Sequence, residues 1–143
     1  METNKNFRIF LVDDDTFCMG IYRQHLASLG YNDITGFGNG HDCLNHLTEQ
    51  PDVIFLDYEM SNLSGLEVLK KIKRVNPDIF VVFLSGQASI MTAVNALKFG
   101  AFDYIVKGMY ELDNITKVLN KIADVIELMR RKKPSMINKF FTL

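Results

Sequence analysis

The chain is poor in cysteine, has no long apolar run and carries no excess of either charge. Each shortage narrows what it can be. Cys18 and Cys43 form no C-x-x-C pair and are too few for a disulfide framework, so both are expected as buried thiols in a reducing cytosol. No apolar stretch approaches the ~18–20 residues a membrane-spanning helix needs. The opening METNKNF is polar and lacks the apolar region of a signal peptide. A soluble cytoplasmic protein with no membrane partner is the expectation. With 16 basic and 17 acidic residues the net charge is -1. No global basic field invites nucleic acid, and no acidic excess implies disorder. Internal repeats and low-complexity segments are absent as well.

What remains is a chain of 143 residues, 48% of them hydrophobic. That suits one domain. A chain of this length buries roughly 68–70% of its unfolded surface, so neither a disulfide nor a metal is required for folding. Four apolar runs, 8–12, 52–57, 78–85 and 101–107, are rich in Val, Ile and Phe. They are continuous rather than alternating, as strands covered on both faces should be. A weaker strand is expected at 33–37. Helical spacing appears over 15–29 (Cys18, Ile21, Tyr22, Leu26, Leu29) and 40–49 (Cys43, Leu44, Leu47). It recurs over 64–74, where Ser64 and Glu67 form a capping box before Leu66, Leu69 and Ile72. Residues 88–99 place Ile90, Val94 and Leu97 on one face, and 111–130 carry a long stripe from Leu112 to Met129. Gly30 and Gly100 stop the first and fourth helices. Strict alternation of strand and helix predicts an α/β fold, a flavodoxin-like three-layer sandwich whose parallel sheet has the order 2-1-3-4-5. The domain is expected over 7–131, between an N-terminal tail, 1–6, and a C-terminal tail, 132–143. Pro134 marks the departure from the pattern, and the aromatics Phe140 and Phe141 either pack back on the domain or dock on a partner.

The first strand ends in three acids, Asp13, Asp14 and Asp15. Like charges about 4 Å apart repel by roughly 4 kcal/mol at an effective dielectric near 20. Asp15 reads as the cap of the first helix. For Asp13 and Asp14 the topology suggests more. Ligands of open α/β sheets bind outside the carboxyl ends of the strands. Asp57, Ser85 and Lys107 end the third, fourth and fifth strands, so all of them rim one crevice with Asp13 and Asp14. Such a hard-oxygen site suits Mg2+ or Mn2+, which would remove the repulsion. A carboxylate can also attack phosphorus and form an aspartyl phosphate. Phosphoryl transfer needs mainly positioning and neutralised charge, which a metal, Lys107, the Ser85 hydroxyl and loop N–H groups could supply.

At these residues the chain resembles the receiver domain of bacterial two-component response regulators. The matching pieces are LVDDD (11–15), VIFLDYEMSNLSGLEVLKKIK (53–73), VVFLSG (81–86) and GAFDYIVK (100–107). The resemblance implies Asp57 as phosphoacceptor, with Asp13 and Asp14 in the acidic pair. Asp14 would touch the metal directly, Asp13 mainly through water, and the Glu59 carbonyl would be a further ligand. Ser85 matches the switch hydroxyl, Tyr104 the switch aromatic and Lys107 the phosphoryl-binding lysine. Gln87 stands where it could influence access of water. The implied partners are a sensor histidine kinase or phosphotransfer protein and an unknown downstream protein. A homodimer through the fourth helix, fifth strand and fifth helix is the further implication. The chain would catalyse only its own phosphotransfer and slow autodephosphorylation. Two departures stand out. The family usually has Lys-Pro, with a cis bond, where this chain has Lys107-Gly108. A non-proline cis bond costs ~2.5–4 kcal/mol, so a trans bond or a rearranged loop is expected. Met60-Ser61 likewise replaces the frequent Met-Pro.

Other readings stay open on sequence alone. The chain could be the receiver part of a longer regulator with a DNA-binding or enzymatic output domain, or a degenerate receiver that binds partners without phosphorylation. It could also be a Mg2+-dependent phosphohydrolase, since Asp13-Asp14-Asp15 satisfies the Asp-x-Asp pattern of haloacid-dehalogenase-like phosphatases. That family's nucleophile ends the first strand and its chains are usually longer. His25, His41 and His46 form no metal or relay cluster, and the basic run Arg130 to Lys133 reads as a solvated helix end.

Overall fold

Five short strands, β1 (Ile9–Val12), β2 (Ile34–Phe37), β3 (Val53–Asp57), β4 (Phe80–Ser85) and β5 (Asp103–Val106), pair in parallel in the order β2-β1-β3-β4-β5. The computed structural model describes residues 6–108 and 110–141, with side chains to residue 132. Every residue of β1 and β3 is buried, which explains why these runs are apolar without alternation. Successive side chains still point to opposite faces. Ile9, Leu11, Val53 and Phe55 face one layer, and Phe10, Val12, Ile54 and Leu56 the other.

Helices α1 (Thr16–Ser28) and α5 (Glu111–Phe141) cover the first face through Tyr22, Leu26, Ile115, Leu119 and Ile122. Helices α2 (Gly40–Asn45), α3 (Gly65–Val75) and α4 (Ile90–Lys98) cover the second. The expected helix over 40–49 is broken into α2 and a separate 3-10 turn, Leu47–Glu49, before Gln50 turns left-handed at φ 59°. The expected capping box is half realised, with Ser64 Oγ accepting from the Glu67 N–H at 3.2 Å. Its neighbour Gly65 lies so close to β3 that a Cβ there would be 2.8 Å from the Asp57 carbonyl oxygen. Glycine thus lets α3 start directly beneath the loop that carries the site.

Two expectations, on the end of the last helix and on Cys18, are corrected, and the direction of one apolar face, which the sequence left open, is located. The stripe Ile90, Val94 and Leu97 does not enter the core. These residues are 79%, 49% and 49% exposed, and Ala96 is the buried residue of α4. Periodicity identifies an apolar face but not whether it points inward or outward. Helix α5 continues past 130 and past Pro134 to Phe141. A proline removes only its own N–H and crowds one carbonyl, so the flanking turns keep their remaining hydrogen bonds. Of the two free thiols, Cys43 is buried but Cys18 only partly so, because it lies near the open end of α1. The segment 1–5 and the side chains of Phe140 and Phe141, whose roles the sequence left open, lie outside the described residues.

Candidate functional site

Parallel pairing brings the carboxyl ends of β1, β3, β4 and β5 side by side, so the polar residues that follow each strand share one rim. Asp13, Asp14 and Asp57 each offer an oxygen, and these oxygens lie within 4.8 Å of one another. Asp13 and Asp57 are buried, while Asp14 faces solvent. Burial pushes the Asp57 carboxyl up to about 7, aided by the charge of Asp13 and opposed by Lys107. Asp15 takes the capping role expected of it, accepting from the N–H groups of Phe17 at 2.9 Å and Cys18 at 3.3 Å. Those bonds hold its carboxyl below the ordinary value.

Lys107 bridges the two buried acids. Its Nζ is 3.2 Å from Asp13 Oδ2 and 3.4 Å from Asp57 Oδ1. Burial alone would lower the ammonium, but the charges of Asp57 and Asp13 outweigh it and raise the group above its ordinary value. With Gly108 following it, Lys107 reaches both buried acids. Among the described residues no peptide bond is cis, and Gly108 takes φ +81°, a conformation glycine adopts without steric cost.

Ser85 is fully buried at the end of β4. Its hydroxyl donates to Glu59 Oε1 at 2.5 Å and accepts from the Gln87 N–H at 3.0 Å. The Gly86 N–H adds a bond to Glu59 Oε2 at 3.2 Å. Burial raises the Glu59 carboxyl, but the Ser85 and Gly86 bonds prevail and bring it below the ordinary value. Sequence reasoning gave Glu59 only a backbone part and so missed this contact. A polar loop residue separated by 26 positions from its partner leaves no periodic signal. The Tyr104 hydroxyl donates to the Gln87 carbonyl at 2.9 Å, and its ring meets Tyr58 edge-on at 6.0 Å. Gln87 thus joins Ser85 to Tyr104 through its backbone rather than its amide.

All of these predicted residues gather at one end of the sheet. A cavity of about 630 Å³, with Asp52, Asp78, Phe80 and Met129 in its lining, lies at the opposite end; among the described residues the group of three acids is at the rim. The donor set at the rim is all oxygen, which suits a small hard cation such as Mg2+. Three carboxylates with one lysine leave a net negative charge for it to neutralise.

Comparison with known proteins agrees with this geometry. Residues 9–120 match the family described as the response regulator receiver domain. The chain is 37% identical over 120 residues to the transcriptional regulatory protein ZraR of Escherichia coli K12, covering 83% of this chain and 27% of that protein. It is 33% identical over 111 residues to the luminescence regulatory protein LuxO of Vibrio campbellii, covering 77% and 24%. The chain thus spans about a quarter of the curated relatives' length. Among solved structures, NtrX from Brucella abortus superposes with a TM-score of 0.80 at 28% identity, covering 90% of this chain and 29% of that one. A CheY-like receiver domain protein from Methanospirillum hungatei gives 0.73 at 26%, covering 83% and 95%.

Proposed function

The chain belongs to the response regulator receiver domain family, a signalling family rather than one of conventional enzymes, and we propose that Asp57 is its phosphoacceptor. The donor is a sensor histidine kinase or a phosphotransfer protein in the cytoplasm. The observation that carries this reading is the buried Asp57 carboxyl, grouped with Asp13 and Asp14 and joined to Asp13 through the Lys107 ammonium.

Asp57 Oδ1 is engaged by Lys107 at 3.4 Å and by the Glu59 N–H at 3.2 Å, so Oδ2 is the oxygen assigned to attack. The bond from phosphorus to the donor's leaving group breaks, and the leaving group departs with the electron pair. Lys107 then offers its ammonium to a phosphoryl oxygen. Asp13, Asp14, Asp57 and the Glu59 carbonyl are the groups we assign to Mg2+ or Mn2+, which supplies charge neutralisation when bound. Ser85 must leave Glu59 to donate to the new phosphoryl group, and Tyr104 follows through their shared contact with Gln87. The phosphoryl group adds about -1.5 to -2 charges and three acceptor oxygens. Shifting a two-state equilibrium from 1:99 to 99:1 takes about 5.5 kcal/mol, which bonds from Lys107 and Ser85 plus metal contacts can reach.

Incubation with Mg2+ and a small phosphodonor, followed by intact mass, tests the reading. The expected result is a gain of one phosphoryl group without multiple turnover of a phosphate ester. An unchanged mass would refute it. The outward apolar face of α4, with Ile90, Met91, Val94 and Leu97 exposed, supports dimerisation through α4, β5 and α5 once Asp57 is phosphorylated. Sedimentation with and without a phosphoryl mimic should show a mass increase only with the mimic, and identical profiles would remove the dimer. The length of the curated relatives favours, as a second reading, a receiver joined to a DNA-binding or enzymatic output domain. A natural product heavier than this chain would establish it.

A further inference from the structure

Lys107 is held by more than its own side chain. It lies between the end of β5 at Val106 and the start of α5 at Glu111. One end of this link is fixed where the Lys107 N–H donates to the Ser85 carbonyl at 2.7 Å. The other is fixed where the Gly108 N–H donates to Glu111 Oε1 at 3.0 Å. The second oxygen of Glu111 accepts from the hydroxyl of Tyr22, 89 positions away on α1. Tyr22 is 3% exposed, so its ring is fixed by the core and only its hydroxyl reaches the link.

These contacts close a circuit. The Asp15 N–H donates to Asp13 Oδ1 at 2.8 Å, and Asp15 caps α1. Helix α1 carries Tyr22, Tyr22 binds Glu111, Glu111 holds Gly108, and Gly108 is bonded to Lys107. Lys107 Nζ returns to Asp13 at 3.2 Å. The lysine and the acid it serves are thereby referenced to the same helix. Proline at position 108 could not take this part. It has no N–H to give Glu111, and its φ is confined near -65°, far from the +81° found here. The exposed Gly108 meets nothing within 4 Å of a Cβ, so backbone conformation and the amide, not crowding, account for glycine.

We propose that Glu111, anchored by Tyr22 and gripping the Gly108 amide, is a positioning residue that sets the reach of Lys107 into the carboxylate site. The inference rests on the phosphoryl role of Lys107 proposed above. Misplacing a catalytic group by about 1 Å can cost on the order of 100-fold, so a loosened link has a measurable effect.

The test compares labelling rates with Mg2+ and a small phosphodonor for wild type, Asp57→Asn, Glu111→Ala, Tyr22→Phe, Lys107→Ala and the double variant Lys107→Ala/Glu111→Ala. Glu111→Ala should label about 10-fold more slowly than wild type, and Tyr22→Phe, which keeps the ring, by a smaller factor. In the Lys107→Ala background the Glu111 change should alter the rate less than about twofold, because its route of action is gone. Amide hydrogen exchange at Gly108 without metal should quicken in Glu111→Ala. A Glu111→Ala rate equal to wild type, an equal slowing in both backgrounds, or unchanged Gly108 exchange would each overturn the proposal. If wild type labels and Asp57→Asn does not, any of those results defeats the positioning role alone. If wild type itself fails to label, the parent reading falls first.

Discussion

Asp57→Asn is expected to gain no phosphoryl group with any donor and, in metal-free buffer, to be more stable than wild type. Loss of labelling follows because an amide lacks the nucleophilic carboxylate oxygen. The gain in stability follows from the raised carboxyl. Asp57 titrates near 7 in the fold against an ordinary value of 3.8. The folded state therefore binds its proton more tightly than the unfolded state between those values. Stability in that window falls as pH rises, and the full cost of the buried charge is present above about pH 7. The solvent-accessible rim screens part of it, leaving about 1–2 kcal/mol. Urea denaturation at pH 8 should show a higher midpoint for Asp57→Asn, and the difference should shrink toward pH 5. Mg2+ should raise the wild-type midpoint more than that of the variant. A variant that labels, or one that is less stable at pH 8, contradicts the assignment of Asp57.

The outline of this site was legible because its residues fall at strand ends. Once the continuous apolar runs at Ile9–Val12 and Val53–Asp57 are read as strands buried on both faces, the parallel order places whatever follows them on one rim. Asp13, Asp57, Ser85 and Lys107 needed nothing further. The parts that escaped notice depend on contacts between loops. Glu59 meets Ser85, and Glu111 meets Tyr22 and Gly108, through polar groups with no period and no fixed spacing. Helix α4 escaped for another reason. An outward apolar face and an inward one have the same spacing, and only the packing of Ala96 against the sheet distinguishes them. A sequence reports the position of a residue along its own element more readily than the orientation of that element.

Lys107→Ala should slow labelling by about 100-fold, corresponding to about 2.7 kcal/mol of lost charge stabilisation at the phosphoryl oxygens. Its cost in stability should be smaller than removing one partner of a buried ion pair usually brings, about 3–5 kcal/mol. Two features limit it. The lysine side chain is 20% exposed, so water enters where the ammonium was. Asp57, already near 7, takes up a proton rather than face Asp13 as a bare charge, because Lys107 is the group holding it down. The expected loss is about 1–2 kcal/mol at pH 8 and less at pH 6, where Asp57 is protonated with or without the lysine. Lys107→Arg separates charge from placement. The guanidinium keeps the positive charge between Asp13 and Asp57 but cannot reproduce the compact ammonium. Stability should therefore return while labelling stays slow. Should Lys107→Ala label at the wild-type rate, or Lys107→Arg restore that rate in full, neither the site chemistry nor the circuit through Glu111 would govern phosphoryl transfer.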